Sequence, residues 1–405
     1  MQLSGLLGSA LSFVIRSVFK KTELPFLIVL NNKEEAAYYL NDLEQMIGEQ
    51  DVLFYPGSFR RPYQIEETDN ANVLLRAEVL NRINSRKKPA IIVTYPEALF
   101  EKVVTRKELD KNTLKVAVGD KISIDFINEV LFEYEFKRVD FITEPGEFSV
   151  RGGIVDVFSF SNDNPYRIEF FGDEVESIRT FDVATQLSIE TQKKITIIPN
   201  VENKFFQENR ESFLDYISAK TVIFIQNTED FLSQLDKQFG KAEEAFAKLS
   251  QEIKRSSPEQ LFLNQAEFIK RALDFSIVEL SSKAIFRTTK KFEFHIQPQP
   301  SFNKQFDLLL NNLNENHFNG YKNHLFCSND AQAKRFHDIF ETLDEANSEN
   351  IRKQYHTVVL PLFQGFIDEE NQITCYTDHQ IFERYHKFSI KNGYSKKQNI
   401  TLKEL

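Results

Sequence analysis

The sequence predicts an α/β fold: a mostly parallel, three-layer sheet domain, interrupted by an inserted β-rich domain and followed by a further small α/β domain. Three patterns carry this reading. Short apolar runs alternate with helical-period segments through residues 1–118, as in a parallel sheet covered by helices. A block of β-branched and aromatic residues with period-2 alternation follows, centred on residues 140–182. Strand and helix patterns then alternate again through residues 201–290 and 291–385.

In the first block a helix is expected from about Gly8 to Lys20, because Leu11, Val14, Ile15, Val18 and Phe19 recur at helical spacing. Phe26-Leu27-Ile28-Val29-Leu30 reads as a short buried strand, with Lys33–Gly48 as the helix after it. Val52-Leu53-Phe54 is the next strand, Ala71–Asn84 the next helix, and Ala90–Thr94 a third strand ending at Tyr95-Pro96.

The inserted block covers residues 119–200, with Lys121–Tyr134 as its entry helix and Lys194–Pro199 as its exit strand. Phe148, Val150, Ile154, Val155, Val157 and Phe158 favour strands, and Gly152-Gly153 marks a bulge or a close backbone approach. Asn162–Pro165 is a turn cluster, and Gly172-Asp173-Glu174 turns the chain again into Val175, Ile178 and Phe181. Between these turns, alternation puts Tyr166, Ile168 and Phe170 on one face and Arg167, Glu169 and Phe171 on the other. Arg151 could join the second group. A phenylalanine among charges is poor surface design unless something covers it. The residues alone leave two readings open: a solvated strand face with one stray Phe, or an interface built on arginine and an aromatic.

Residues 201–290 read as mostly helical, with a strand at Thr221–Gln226 and another at Val278-Glu279-Leu280. Thr228-Glu229-Asp230 is expected to cap a helix running to Phe239. Gln297-Pro298-Gln299-Pro300 marks a boundary into residues 291–385. There a helix is expected at Phe302–Asn319, strands at His324–Cys327, Thr357–Leu360 and Ile373–Thr377, and a helix at Asp330–Leu343 capped by Ser328 or Asn329. Asp368-Glu369-Glu370-Asn371 reads as a hairpin turn, since no apolar strand precedes it as in a helicase acidic box. Residues 386–405 are polar and linker-like.

Composition narrows the function. A chain of 405 residues holds about two to four domains, and 41% hydrophobic content is enough for real cores. The net charge of −10 argues against a dedicated nucleic-acid binder, although Arg60-Arg61 and Arg86-Lys87-Lys88 are local basic spots. Between Asp140 and Asp182 three Arg face ten Asp and Glu, a field that repels DNA and suits a protein partner. No apolar run of about 18 residues is present to span a membrane, and Arg16 breaks the apolar N-terminal stretch, against a signal peptide. Two cysteines, Cys327 and Cys375, fit a reducing, cytoplasmic setting without a disulfide framework. Neither these nor the seven His show metal-ligand spacing; Cys327 and His337 lack a second pair, and His295 reads as a core or interface histidine.

One further run bears on chemistry. Phosphate loops of the form GxxxxGK[ST] cradle phosphates with backbone amides while the Lys neutralises them. Gly5-Leu6-Leu7-Gly8-Ser9-Ala10-Leu11-Ser12 has the length and first glycine, but Ala10 stands for the last Gly and Leu11 for the Lys. It reads as a degenerate loop, or as an ordinary helix start. Either way no ATP binding, and no cofactor, is expected here.

The stretch EPGEFSVRGGIVDVFS…PYRIEFFGDEVESIRTFD, with a following TQ, resembles the UvrA-binding module shared by the repair helicase UvrB and the transcription-repair coupling factor family (Mfd). That resemblance implies a degenerate P-loop helicase-like first domain at residues 1–118, completed by residues 201–290 around the insertion at 119–200. It implies UvrA as partner, contacted by Arg151, Arg167 and Phe171. It further implies RNA polymerase and DNA as partners of the longer protein, whose ATP-dependent motor would follow this region. UvrB itself keeps a working nucleotide site and a long Tyr-rich hairpin, whereas here Tyr55–Tyr63 reaches the next helix quickly. The coupling-factor reading, a non-catalytic UvrA-recruiting module, is therefore favoured over an ATP- and DNA-binding UvrB-type helicase fragment. On this reading Arg167→Ala should leave the melting temperature nearly unchanged, with Arg179→Ala as the neutral control.

Overall fold

Residues 26–29 are apolar throughout and fully buried, which is what a central parallel strand requires. Around Phe26–Val29 the computed structural model, which describes residues 1–58, 70–85, 88–160, 162–201, 210–248, 256–287, 290–343 and 354–384, builds a seven-stranded sheet. From edge to edge its strands are Lys291–Glu293, Gln2–Ser4, Ser276–Leu280, Val222–Gln226, Phe26–Val29, Ile91–Thr94 and Val52–Phe54. Every pairing among them is parallel. Strands from residues 222–280 thus lie between Gln2–Ser4 and Phe26–Val29, although residues 137–191, which precede them in the chain, belong to a separate sheet. The fold is mixed α/β, with this large parallel sheet and additional β-rich sheets.

Helices follow the helical-period segments closely. Ala10–Thr22 and Lys33–Ile47 pack on each other, the second capped by Asn32, which accepts from Glu35 N. Asn70–Ser85 and Ile124–Glu133 also sit where the periodicity puts them. One helix differs. Thr228 is not a cap but the first residue of Thr228–Ala247, which runs eight residues past Phe239; Asn227, in the left-handed region at φ 47°, precedes it. Leu235, Phe239 and Ala242 continue the buried stripe, so the apolar face carries the helix on through Gly240.

The inserted unit is a six-stranded sheet in the order Ser188–Thr191, Glu174–Phe181, Tyr166–Phe171, Ile154–Val157, Glu147–Arg151, Lys137–Arg138. Its buried face holds Phe148, Val155, Ile168 and Ile178, continuous with the core beneath the parallel sheet. Gly152-Gly153 is the two-residue turn of a hairpin, since Arg151 pairs with Ile154; Gly152 takes φ +60°. Gly153 also meets a close backbone approach, its carbonyl accepting from Phe170 N at 2.8 Å. The register shift lies in the next hairpin, between Glu169 and Phe170.

A five-stranded sheet carries the C-terminal unit: Ile296–Pro298, Phe366–Asp368, Ile373–Thr377, Lys322–Cys327 and Tyr355–Val359. The Gln-Pro repeat is thus not a boundary loop. Its first half is an edge strand, where Pro298 needs no ladder donor, and Gln299 is buried, accepting from Thr377 N at 2.7 Å. Asp368–Asn371 turns between two antiparallel strands, as expected, with Asn371 N bonded to Asp368. Asn329 caps the helix Asp330–Leu343 by accepting from Gln332 N. His295 is exposed in the link between the two sheets, not in a core. Phe59–Tyr63, Arg86-Lys87 and residues 385–405 lie outside the described residues.

Candidate partner-binding face and candidate phosphate loop

Sheet register decides which side chains share the outward face of the inserted unit. Ser149 pairs with Asp156, Asp156 with Arg167, and Arg167 with Arg179. In the neighbouring row Arg151 pairs with Ile154 and Ile154 with Glu169. Because side chains alternate, Arg151, Asp156, Arg167, Glu169, Phe171 and Arg179 all belong to one face. The three residues singled out from the sequence are therefore brought to one side of the sheet. They are not equivalent there.

Phe171 is 80% exposed beside the Gly172-Asp173 turn. Arg151 keeps 43% of its side chain exposed while one guanidinium nitrogen bonds Asp156. Arg167 is different: only 16% of its side chain is exposed. Its Nε and Nη2 bond the two Asp156 oxygens at 2.7 and 2.8 Å, and its guanidinium lies 4.3 Å from the Phe181 ring centroid. The hydrogen bond to Asp156 holds Arg167 more firmly protonated than a free guanidinium. Arg167 thus sits in an internal ion pair, and its removal touches folding as well as the surface. Arg179 is no neutral control either, being directly opposite Arg167 on the same face and paired with Glu169.

Asp156 is the residue that sequence reasoning missed. It is buried and collects both arginines. A signal existed: it is the one charge in the strand Ile154–Val157, and a buried carboxylate there needs cationic partners. Phe141 was missed as well; its ring stands 5.4 Å from the Arg151 guanidinium. At the far end of the face, Ile142, Phe158 and Phe181 form a small cluster of their own, and Arg167, lying on Phe181, is more covered than Arg151.

The second candidate has the local context of a phosphate loop: strand Gln2–Ser4, loop, then helix Ala10–Thr22. Its cradle is occupied by the chain itself. Ser9 N donates to Gln364 O at 3.0 Å, where a phosphate oxygen would sit at a helix N-terminus, and Gln364 N donates to Ser9 Oγ at 3.0 Å. Tyr38 stacks on Phe363 with centroids 3.8 Å apart. Asp42, fully buried, accepts from Phe363 N at 2.8 Å and from Ser12 Oγ at 3.2 Å. Burial pushes its carboxyl up to about 7 against the opposing pull of those bonds and of Ser9.

The loop residues answer to packing. Gly5, at φ +77°, lies so close to the Phe294 carbonyl that a Cβ would fall 2.0 Å from it. Gly8, at φ +54°, faces the carbonyls of Gln364 and Gly365. Ala10 and Leu11 are buried, Leu11 in the main core, and Ser12 is spent on Asp42. Among the described residues no His, Cys, Asp or Glu cluster could hold a metal, and no helix is long and apolar enough to cross a membrane. Cys327 and Cys375 are buried free thiols pushed up to about 12, so neither is a nucleophile near neutrality.

Residues 114–203 match the UvrB interaction domain. This domain takes in the six-stranded sheet and the whole face described above. The chain is also similar to transcription-repair-coupling factors over its N-terminal half. The factor of Bacillus subtilis is 34% identical over 218 residues, which is 54% of this chain and 18% of that protein. That of Myxococcus xanthus is 30% identical over 216 residues, 52% of this chain and 18% of the relative. That of Escherichia coli K12 is 24% identical over 197 residues, 49% of this chain and 17% of the relative. Each alignment thus spans less than a fifth of the relative's length.

Proposed function

We propose that the UvrB interaction domain of this chain is a docking face for UvrA, and that the chain serves a transcription-repair coupling factor by recruiting excision repair to stalled RNA polymerase. The observation that carries this is the convergence of Arg151, Arg167 and Phe171 on one face of the domain. Arginine forks pair with partner carboxylates, and Phe171 adds apolar area beside them. The region is acidic overall, which favours a protein over DNA at this face. Isothermal calorimetry of the chain with purified UvrA is expected to show binding, and Phe171→Ala to weaken it by about thirtyfold or more without shifting the melting temperature. No heat of binding for the unmodified chain would overturn the reading.

In the same reading the chain is non-catalytic and its first sheet is a helicase-like unit that has lost nucleotide. The occupied cradle supports this, since Gln364 takes the amide a phosphate would need. Neither ATP nor a non-hydrolysable analogue should bind at micromolar concentration. Leu11→Lys should not restore binding, because Leu11 is packed in the core. Micromolar affinity for an ATP analogue would favour the UvrB-type helicase reading.

A further inference from the structure

We infer that Phe141 is a second aromatic anchor of the docking face and the residue that presents Arg151 to the partner; this rests on the UvrA-docking reading above. The ring is 64% exposed, an unusual position for a phenylalanine with nothing over it. Exposure here is not the result of a loosely held loop. Val139 N bonds Phe148 O at 2.9 Å, the Asp140 carbonyl accepts from Ser149 Oγ at 3.1 Å, and Thr143 N bonds Glu147 at 2.8 Å. Ile142 next door is buried against Phe158 and Phe181. The backbone on both sides is pinned, and the ring is held outward.

What it does there follows from Arg151. The Arg151 guanidinium is held from two sides, by Asp156 and by the Phe141 ring 5.4 Å away. A cation over an aromatic face is stabilised without being neutralised. Asp156 is shared between two guanidinium groups, so Arg151 does not have this carboxylate to itself. The exposed part of the Arg151 fork is thus open to a carboxylate of the partner. Phe171 lies on the far side of the arginines, two strands away from Arg151. The face therefore carries a cationic centre between two exposed rings, and the partner segment that fits it has an acidic residue with apolar side chains on either side.

Calorimetry with UvrA tests this, using the unmodified chain, Phe141→Ala, Arg151→Ala, Phe171→Ala and the double variant Phe141→Ala/Arg151→Ala. Phe141→Ala is expected to weaken binding about tenfold to thirtyfold with an unchanged melting temperature. The double variant should lose less than the product of the two single losses, since Phe141 acts partly through Arg151. If Phe141→Ala binds within about twofold of the unmodified chain while Arg151→Ala and Phe171→Ala are weakened, Phe141 is not an anchor and only this inference falls. Losses that multiply fully would overturn its presenting role. Failure of the unmodified chain to bind UvrA would remove the docking reading itself.

Discussion

Arg167→Ala is expected to lower folding stability by about 2 kcal/mol and to weaken UvrA binding by at least about tenfold. Two charge-assisted hydrogen bonds to a buried carboxylate are lost, together with the guanidinium lying on Phe181. Asp156 keeps only Arg151, whose long side chain is much more exposed. With Arg167 still holding Asp156 through two bonds, Arg151→Ala should change stability less, while still costing affinity. Arg167→Lys should recover part of the stability, because an ammonium supplies charge without the two-pronged fork. The comparison is made by urea unfolding alongside calorimetry, with Lys241→Ala, on an exposed helix surface, as the neutral control. A urea midpoint for Arg167→Ala equal to that of the unmodified chain would mean that Asp156 is held by Arg151 alone.

The second large effect concerns Asp42. Its pKa is raised from the usual carboxylate value to about 7 by burial, so the folded protein binds its proton more tightly than the unfolded chain does. That contribution is complete below about pH 4 and is lost as pH rises towards about 7. Integrated over that interval, ionising Asp42 costs at most about 4 kcal/mol. Burial pushes His379 down to about 4 against the opposing pull of its bond to the Phe363 backbone, so it stays neutral over most of the window. Unfolding measured between pH 4.5 and 7.5 should therefore show a loss of stability that Asp42→Asn removes. Asp42→Ala should instead be destabilised at every pH, by about 2 kcal/mol or more, because Phe363 N and Ser12 Oγ lose a buried acceptor. An Asp42→Asn profile parallel to that of the unmodified chain would show that the slope comes from other groups.

Local pattern made most strands and helices legible. Val52–Phe54, Tyr166–Phe171 and Ile373–Thr377 sit where the apolar runs place them, because burial there is set by residue type along one segment. The alternation of Tyr166–Phe171 also carried the outward face, down to exposed Phe171. What stayed hidden depends on pairing between distant segments. That Asp156 gathers both arginines follows from three strands in register, and no single strand states it. Likewise the Gly-rich start of the chain reads as a nucleotide motif until residues 362–365 are placed against it. Edge strands such as Ile296–Pro298 carry little pattern, being short, half exposed and tolerant of proline.

The strand Gln2–Ser4 pairs with the strands Ser276–Leu280 and Lys291–Glu293. Its first contact with them, Met1 N to the Ile277 carbonyl, joins positions 276 apart in sequence. At ordinary synthesis rates of about 5–20 residues per second, roughly 15–55 s pass between making the two ends of that bond. The Ser9–Gln364 contact, 355 positions apart, closes later still. During that interval Leu3, Ala10 and Phe13 have no C-terminal strands to cover them. The parallel sheet is consequently finished from the outside in time, its earliest-made strand seated among its latest.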